Sequence, residues 1–329
     1  MKEKNKLTLG LLISVLSILL IIVFVDLKAV WKNLQKLSWH TAVFISSLYL
    51  INMLFRAIRW RNIIRTNRKV DIQFMLVFKA LIYGYALNQL LPLKIGEVGR
   101  AEYLTRRNKE SRSLLLGTIV VERIFDVIII IIFLGFSILF SDTVMSSFRS
   151  NVASVIIMII SFTGAVILFI NLQFLKKITG CFPDKIEVFL NKIIDNIVHP
   201  LAIFNSSWRV VSVLLISLVI WSLTCFSFAL IITDIGIEIP FYAYFFIVSA
   251  GTFGMIIPST SANVGVYHAV SMGALMIFMV PKEQALSFAI LAHAFDFFPS
   301  IVLGGILFGY GRLLNLKNIP SLEKDIAKH

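Results

Sequence analysis

Charge is what this sequence has least of. Only 15% of its 329 residues are Asp, Glu, Lys or Arg, where a globular protein in water carries about a quarter, so a soluble enzyme is excluded. Cysteine is almost absent too. Cys181 and Cys225 stand without a CxxC pair or a Cys/His cluster, which argues against a disulfide scaffold, a zinc site or an iron–sulfur cluster. HExxH, GxSxG, a P-loop and GxGxxG are all missing, and with them the sequence signs of a metalloprotease, a hydrolase nucleophile and a nucleotide site. No metal or cofactor is expected.

What is present is apolar: 58% of the residues, at a mean hydropathy of +0.88. Apolar stretches fall near 7–25, 41–58, 73–91, 113–140, 152–172, 209–233, 241–257, 263–280 and 285–310. Most are long enough to cross about 30 Å of hydrocarbon as helix. The expected fold is therefore all-α, a polytopic helical bundle forming one transmembrane domain, with no separate aqueous domain. The stretch 7–25 follows Lys2, Lys4 and Lys6 with no small-x-small cleavage site after it, and reads as a signal-anchor helix.

The net charge of +13 would suggest nucleic acid in a soluble protein; here it reads as the basic bias of cytoplasmic loops. Six basic residues and no acid lie between Arg56 and Val70, and six more between Lys94 and Arg112, whereas the loop near 234–240 holds Asp234 and Glu238 alone. The chain is thus expected in the cell (plasma) membrane with both termini, 56–70, 93–112, 173–209 and the tail in the cytoplasm. Segment 73–91 has basic flanks on both sides and ends at Pro92, which predicts a re-entrant or broken helix lining a cavity. The other eight segments count as crossings, with 241–257 and 263–280 open to being a second re-entrant pair. The stretch 174–205 has apolar residues at near-helical spacing among charges, fitting a surface amphipathic helix or a plain cytoplasmic helical hairpin.

Two stretches resemble each other: Pro92-Leu-Lys94-Ile-Gly96-Glu97-Val-Gly99-Arg100 and Pro258-Ser-Thr-Ser-Ala262-Asn263-Val-Gly265-Val. Arg123-Ile-Phe-Asp126 follows the first and His293-Ala-Phe-Asp296 the second. This predicts an internal repeat, about 41–172 and 209–311, around a linker of about 174–205; such repeats with broken helices point to a transporter's central site.

Charged side chains within a span cost about 2.5–3.5 kcal/mol each on insertion scales and are functional candidates by default. Asp296 falls near the middle of its span, with His293 on the same face as a donor to it. Glu122 and Asp126 share a face, with Arg123 placed to pair with Asp126 and Glu122 near the inner boundary. His268 completes the expected intramembrane polar centre. Lys94, Gly96, Glu97, Gly99 and Arg100 read as an interfacial turn whose amides and cations suit a phosphate oxygen, with Asn88, Asn263 and Gly265 in support. The run from Arg56 to Arg68 reads as a topology signal, and the five tryptophans mostly as interfacial anchors.

The set Asn88-xxx-Pro92-x-Lys94-Ile-Gly96-Glu97-Val-Gly99-Arg100, Val121-Glu122-Arg123-xx-Asp126 and Ile257-Pro258…Asn263-Val-Gly265 resembles the transmembrane region of lysylphosphatidylglycerol synthases, which also occurs as stand-alone flippase-like proteins. The resemblance covers essentially the whole chain. It implies movement of an aminoacylated phospholipid, or of a polyprenyl-linked lipid, between leaflets, with a separate synthase or glycosyltransferase as partner. Only about 18 residues follow the last apolar stretch, so the aminoacyl-transfer activity of bifunctional relatives is expected to be absent.

The leading function is thus a lipid flippase working without ATP. The alternatives are a membrane-embedded lipid-phosphate or glycolipid-modifying enzyme using Glu122, Asp126 or Asp296 as acid/base groups, and a scaffold or channel subunit. The sidedness is directly testable. Cysteines placed at positions 62 and 106 should both be shielded from an impermeant thiol reagent added outside intact cells; labelling at 106 alone would mean that 73–91 crosses fully.

Overall fold

A computed structural model describes residues 25–66, 72–91, 94–108, 110–141, 203, 206–255 and 261–309. The stretches 7–24, 152–172 and nearly all of 174–205, with Pro92, Pro258 and Cys181, lie outside the described residues. Among the described residues there are nine α-helices and no strand. A short helix α1 (Leu27–Leu34) starts where the Asp26 carboxylate accepts the backbone N–H groups of Lys28 and Ala29, satisfying two otherwise orphaned donors.

The remaining helices fall into two quartets of the same order. The first is α2 (Trp39–Thr66), α3 (Phe74–Leu90), α4 (Ile95–Asn108) and α5 (Arg112–Leu139), of 28, 17, 14 and 28 residues. The second is α6 (Ser207–Asp234), α7 (Phe241–Gly254), α8 (Val266–Met276) and α9 (Lys282–Phe308), of 28, 14, 11 and 27 residues, with a single 3₁₀ turn at Ser261–Asn263 before α8. Each quartet runs long, short, short, long. Helices α2, α6 and α9 are long and apolar enough to cross a membrane. Helix α5 matches them in length, but Glu122, Arg123 and Asp126 interrupt its apolar run.

The expected segments 241–257 and 263–280 shrink to α7 and α8. At 1.5 Å per residue these are about 21 and 17 Å long, short of about 30 Å of hydrocarbon. Segment 41–58 errs the other way: α2 continues to Thr66 and carries Arg56, Arg59, Arg61 and Arg65 as helix.

The short helices pair as antiparallel hairpins at very close range. A Cβ at Gly96 would sit on the carbonyl oxygen of Gly84 and 2.6 Å from Asn88 Oδ1, and one at Gly99 would sit 2.6 Å from Leu87 Cδ1. Only glycine lets α3 and α4 approach so closely. The segment from Gly96 to Arg100 is therefore the first turns of α4, packed on α3, and the expected interfacial turn is replaced by helix. In the second hairpin, Gly254 of α7 faces Val270 of α8 in the same manner, a Cβ there lying 2.9 Å from the valine side chain.

The quartets are laced together. Helix α2 runs antiparallel to α6 along its length: Ser38 N–H donates to Asp234 at one end, Asn52 to the Ile220 carbonyl in the middle, and Arg209 to the Thr66 carbonyl at the other end. Helix α3 packs on α9 through Gln89–Asp296 and Tyr83–Phe308. Helix α7 packs on α5 through Ser249–Ile130 and Phe133–Phe245. Each hairpin thus lies against the last helix of the other quartet. Outward faces carry exposed Phe44, Leu54, Leu215, Phe226, Val302 and Ile306, an apolar surface far too large for water and suited to lipid.

The glycine contact gives a stability prediction. Gly96→Ala should destabilise the protein by about 1–3 kcal/mol through overpacking, read as a lowered melting temperature in detergent. Gly135→Ala on α5, where nothing lies within 4 Å, should leave it unchanged or slightly raised, because alanine favours helix by up to about 1 kcal/mol over glycine.

Candidate functional site

The carboxylates of α5 meet more cations than their own helix supplies. Arg59 of α2, fully buried, places its two terminal amino groups 2.6 Å from Asp126 and 2.8 Å from Glu122, and its Nη1 also donates to Ser217 of α6 at 2.8 Å. Arg100 of α4 reaches the second oxygen of Glu122 at 2.8 Å and stacks 4.6 Å above the Trp60 ring. Arg123 pairs with Asp126 at 3.2 Å and approaches Glu97 at 3.5 Å. Trp221 of α6 donates its indole N–H to Asp126 at 3.0 Å, and Trp60 donates to Thr118.

Several expectations change here. The Arg123–Asp126 pair is present, but Arg59 is the principal partner of Asp126. Glu122 is fully buried between two arginines. The Arg56–Arg68 run was read as a topology signal, yet Arg59 is 0% and Arg56 9% exposed. Trp31, Trp39 and Trp208 are exposed as interfacial anchors would be, whereas Trp60 and Trp221 are buried against the charges.

Beside this cluster a cavity of about 310 Å³ opens between the quartets. Of the anticipated residues, Asn88, Lys94, Glu97, Arg100, Arg123, Asp126, Asn263, His293 and Asp296 line it. Gly96 and Gly99 do not; they hold α4 against α3. Glu122 sits behind the wall. Gly265 has φ +90° at the start of α8, a conformation that glycine adopts readily, and its N–H donates to His268 Nδ1 at 3.3 Å, so His268 braces a helix start. Its ring also lies 4.9 Å from that of His293.

Asp296 does not pair with His293. Its Oδ2 accepts from Gln89 Nε2 at 2.8 Å, joining α9 to the end of α3. His293 Nε2 is buried without a hydrogen-bond partner. The backbone after Asp296 is held by Ser300, which donates to the Asp296 carbonyl at 2.7 Å and shares a hydrogen bond with Tyr49, one residue past Pro299, whose ring removes a helical donor.

Lining residues that the sequence does not mark as part of a site include Arg56, Tyr85, Gln89 and Trp221. Arg56 donates to Asn52 at 2.7 Å and to Tyr85 at 2.8 Å, with the rings of Tyr85 and Trp221 at 5.6 and 5.7 Å. A usable signal existed: Arg56 and Arg59 fall three apart, on one helical face, directly after an apolar run. Both hairpins also carry left-handed non-glycine residues at the cavity, Lys94 at φ +54° and Ala262 and Asn263 at +57° and +56°. Such conformations are costly and gather at functional sites. Among the described residues no group of three or more His, Cys, Asp or Glu side chains could hold a metal.

An all-helical membrane protein with a charged cavity between two helix quartets is the class that fold and site define. The family model for the lysylphosphatidylglycerol synthase TM region matches residues 7–304, and the chain belongs to that family. A UPF0104 membrane protein of Pyrococcus horikoshii is 22% identical, covering 90% of this chain and 95% of its own. Two UPF0104 membrane proteins of Methanocaldococcus jannaschii are similar as well, one 26% identical over 72% of this chain and 99% of its own, the other 28% identical over 39% of each. No solved structure matches.

The cluster gives a prediction of its own. Glu122→Gln leaves Arg59 and Arg100 without their shared carboxylate, so folded yield should collapse, in line with a loss of about 3–5 kcal/mol for breaking a buried pair. Glu283→Gln, which breaks the 3.9 Å pair with the half-exposed Lys282, should change stability by less than about 1 kcal/mol. Size-exclusion profiles and melting curves of the two variants decide it.

Proposed function

We propose that this protein is a flippase-like lipid transporter, moving a lipid with an anionic or lipid-linked headgroup between leaflets without ATP hydrolysis. One observation carries the reading: a cavity lined by Arg56, Lys94, Glu97, Arg123, Asp126 and Asp296 lies between two helix quartets whose outer faces are apolar. A volume of about 310 Å³, within the range of small-ligand pockets, suits a headgroup while acyl or prenyl tails remain in lipid. The chemistry fits family membership, since the name of the family links it to phospholipid synthesis.

On this reading the quartets are two repeats of inverted topology. Antiparallel α2 and α6 are the equivalent first helices. Hairpin α3–α4 enters from the basic cytoplasmic side and hairpin α7–α8 from the opposite face, both re-entrant, and rocking of one repeat against the other exposes the cavity to each leaflet in turn. The protein then sits in the cell membrane with both termini in the cytoplasm, and a separate synthase or glycosyltransferase supplies its lipid. Movement is downhill or coupled to an ion, and the Asp296–Gln89 contact between the repeats, with His293 beside it, is the place where a proton would act.

The test is translocation in proteoliposomes, using labelled anionic, zwitterionic and polyprenyl lipids. Wild-type protein should move at least one class faster than empty vesicles. Asp296→Asn should melt like wild type, because the amide still accepts from Gln89, yet translocate roughly tenfold more slowly, equivalent to about 1.4 kcal/mol. Its pH profile should flatten from about pH 5.5 to about 8, where histidines titrate. A well-folded Asp296→Asn protein with wild-type transport and an unaltered profile removes proton coupling. A chemically altered lipid made by the pure protein would make it an enzyme.

A further inference from the structure

Resting on the lipid-transport reading, the charges of the cavity divide into a closed set and a remainder. Arg59, Arg100 and Arg123 are matched by Glu97, Glu122 and Asp126 through the contacts above. Three cations face three anions, and the set is neutral. Its members are poor hosts for a further anion, because a ligand would have to displace a carboxylate already within ion-pair distance.

Two lining cations remain outside that set, Arg56 and Lys94. No carboxylate among the described residues pairs with either. Arg56 is hydrogen-bonded by Asn52 and Tyr85 and flanked by two aromatic rings, neutral groups that fix its planar fork, while Asp126 acts on it only from beyond ion-pair distance. Lys94, exposed to the cavity, is carried by a left-handed residue at the start of α4, while Glu97 one turn on is turned to Arg123. Against these two charges stands the single carboxylate of Asp296, occupied by Gln89. A nearly buried guanidinium without a counter-ion is costly unless a ligand completes it. His293 Nε2, buried without a hydrogen-bond partner, is a further polar atom of a residue lining the same cavity.

We propose that Arg56 and Lys94 together seat the phosphate oxyanion of the transported lipid, the arginine by a bidentate fork and the lysine as a point charge. Arg100, which the sequence singles out, serves instead to neutralise Glu122.

The experiment measures binding of dodecyl phosphate to the purified full-length protein in maltoside micelles, with inorganic phosphate as competitor. Wild type should bind dodecyl phosphate saturably. Lys94→Gln and Arg56→Gln should each weaken it roughly tenfold or more, as loss of a charge-assisted hydrogen bond does, and Arg56→Lys should fall between. Lys282→Gln, a charge away from the cavity, should bind as wild type. If Arg56→Gln does not fold, Lys94→Gln and Arg56→Lys carry the test. Undiminished binding by the folded Lys94 and Arg56 variants, or no binding by wild type, overturns the seat and leaves lipid translocation to its own assay. Inorganic phosphate competing on equal terms with dodecyl phosphate, and losing affinity in the same variants, keeps the seat but identifies a free phosphate, and it is then the lipid reading that fails.

Discussion

Everything near the centre of this molecule depends on keeping Arg59, Glu122 and Asp126 charged away from water. In an apolar surrounding, a lone ion is costly by several kcal/mol, so each charge must find a partner inside the protein. The partners come from four helices: the cations Arg59 from α2, Arg100 from α4 and Arg123 from α5 itself, the indole of Trp221 from α6 as a donor to Asp126, and the hydroxyl of Ser217, also from α6, as an acceptor for Arg59. No two helices could satisfy that set alone. The cluster therefore fixes how α2, α4, α5 and α6 sit against one another, and the cavity wall follows.

The same constraint explains why glycine recurs where it does. Arg100 reaches Glu122 only if α4 lies close to α3 and α5, and Gly84 and Gly96 remove the side chains that would hold the hairpin open. Without a strong hydrophobic drive between helices in lipid, close backbone packing of this kind is a main source of association. The hairpins also hold non-glycine residues in left-handed conformations beside the cavity, at Lys94, Ala262 and Asn263.

Much of this was legible from residues in order. The apolar runs around Ile45, Ile220 and Ala289 marked α2, α6 and α9. The Arg123–Asp126 pair followed from a spacing of three on one helix, because such a contact needs only local geometry. Arg56 and Arg59 were misread for an equally physical reason. A basic run after an apolar one looks the same whether it faces lipid headgroups or the protein interior, and what distinguishes the two is Asp126, 67 positions away from Arg59.

The sequence by itself determined the class of protein: too little charge for water and apolar runs of spanning length are properties of composition and order, which no packing can reverse. It also marked most of the charged groups that end at the cavity, since a charge in an apolar run stands out wherever it lands. Tertiary structure alone decided their partners. Asp296 turned to Gln89 and not to the neighbouring His293, Glu122 was enclosed by arginines from two other helices, and Gly96 became a packing surface and not a turn. Each of these depends on which helix lies alongside. In a bundle, that is settled by close packing and by the need to pair every buried charge, conditions that the whole chain must satisfy at once.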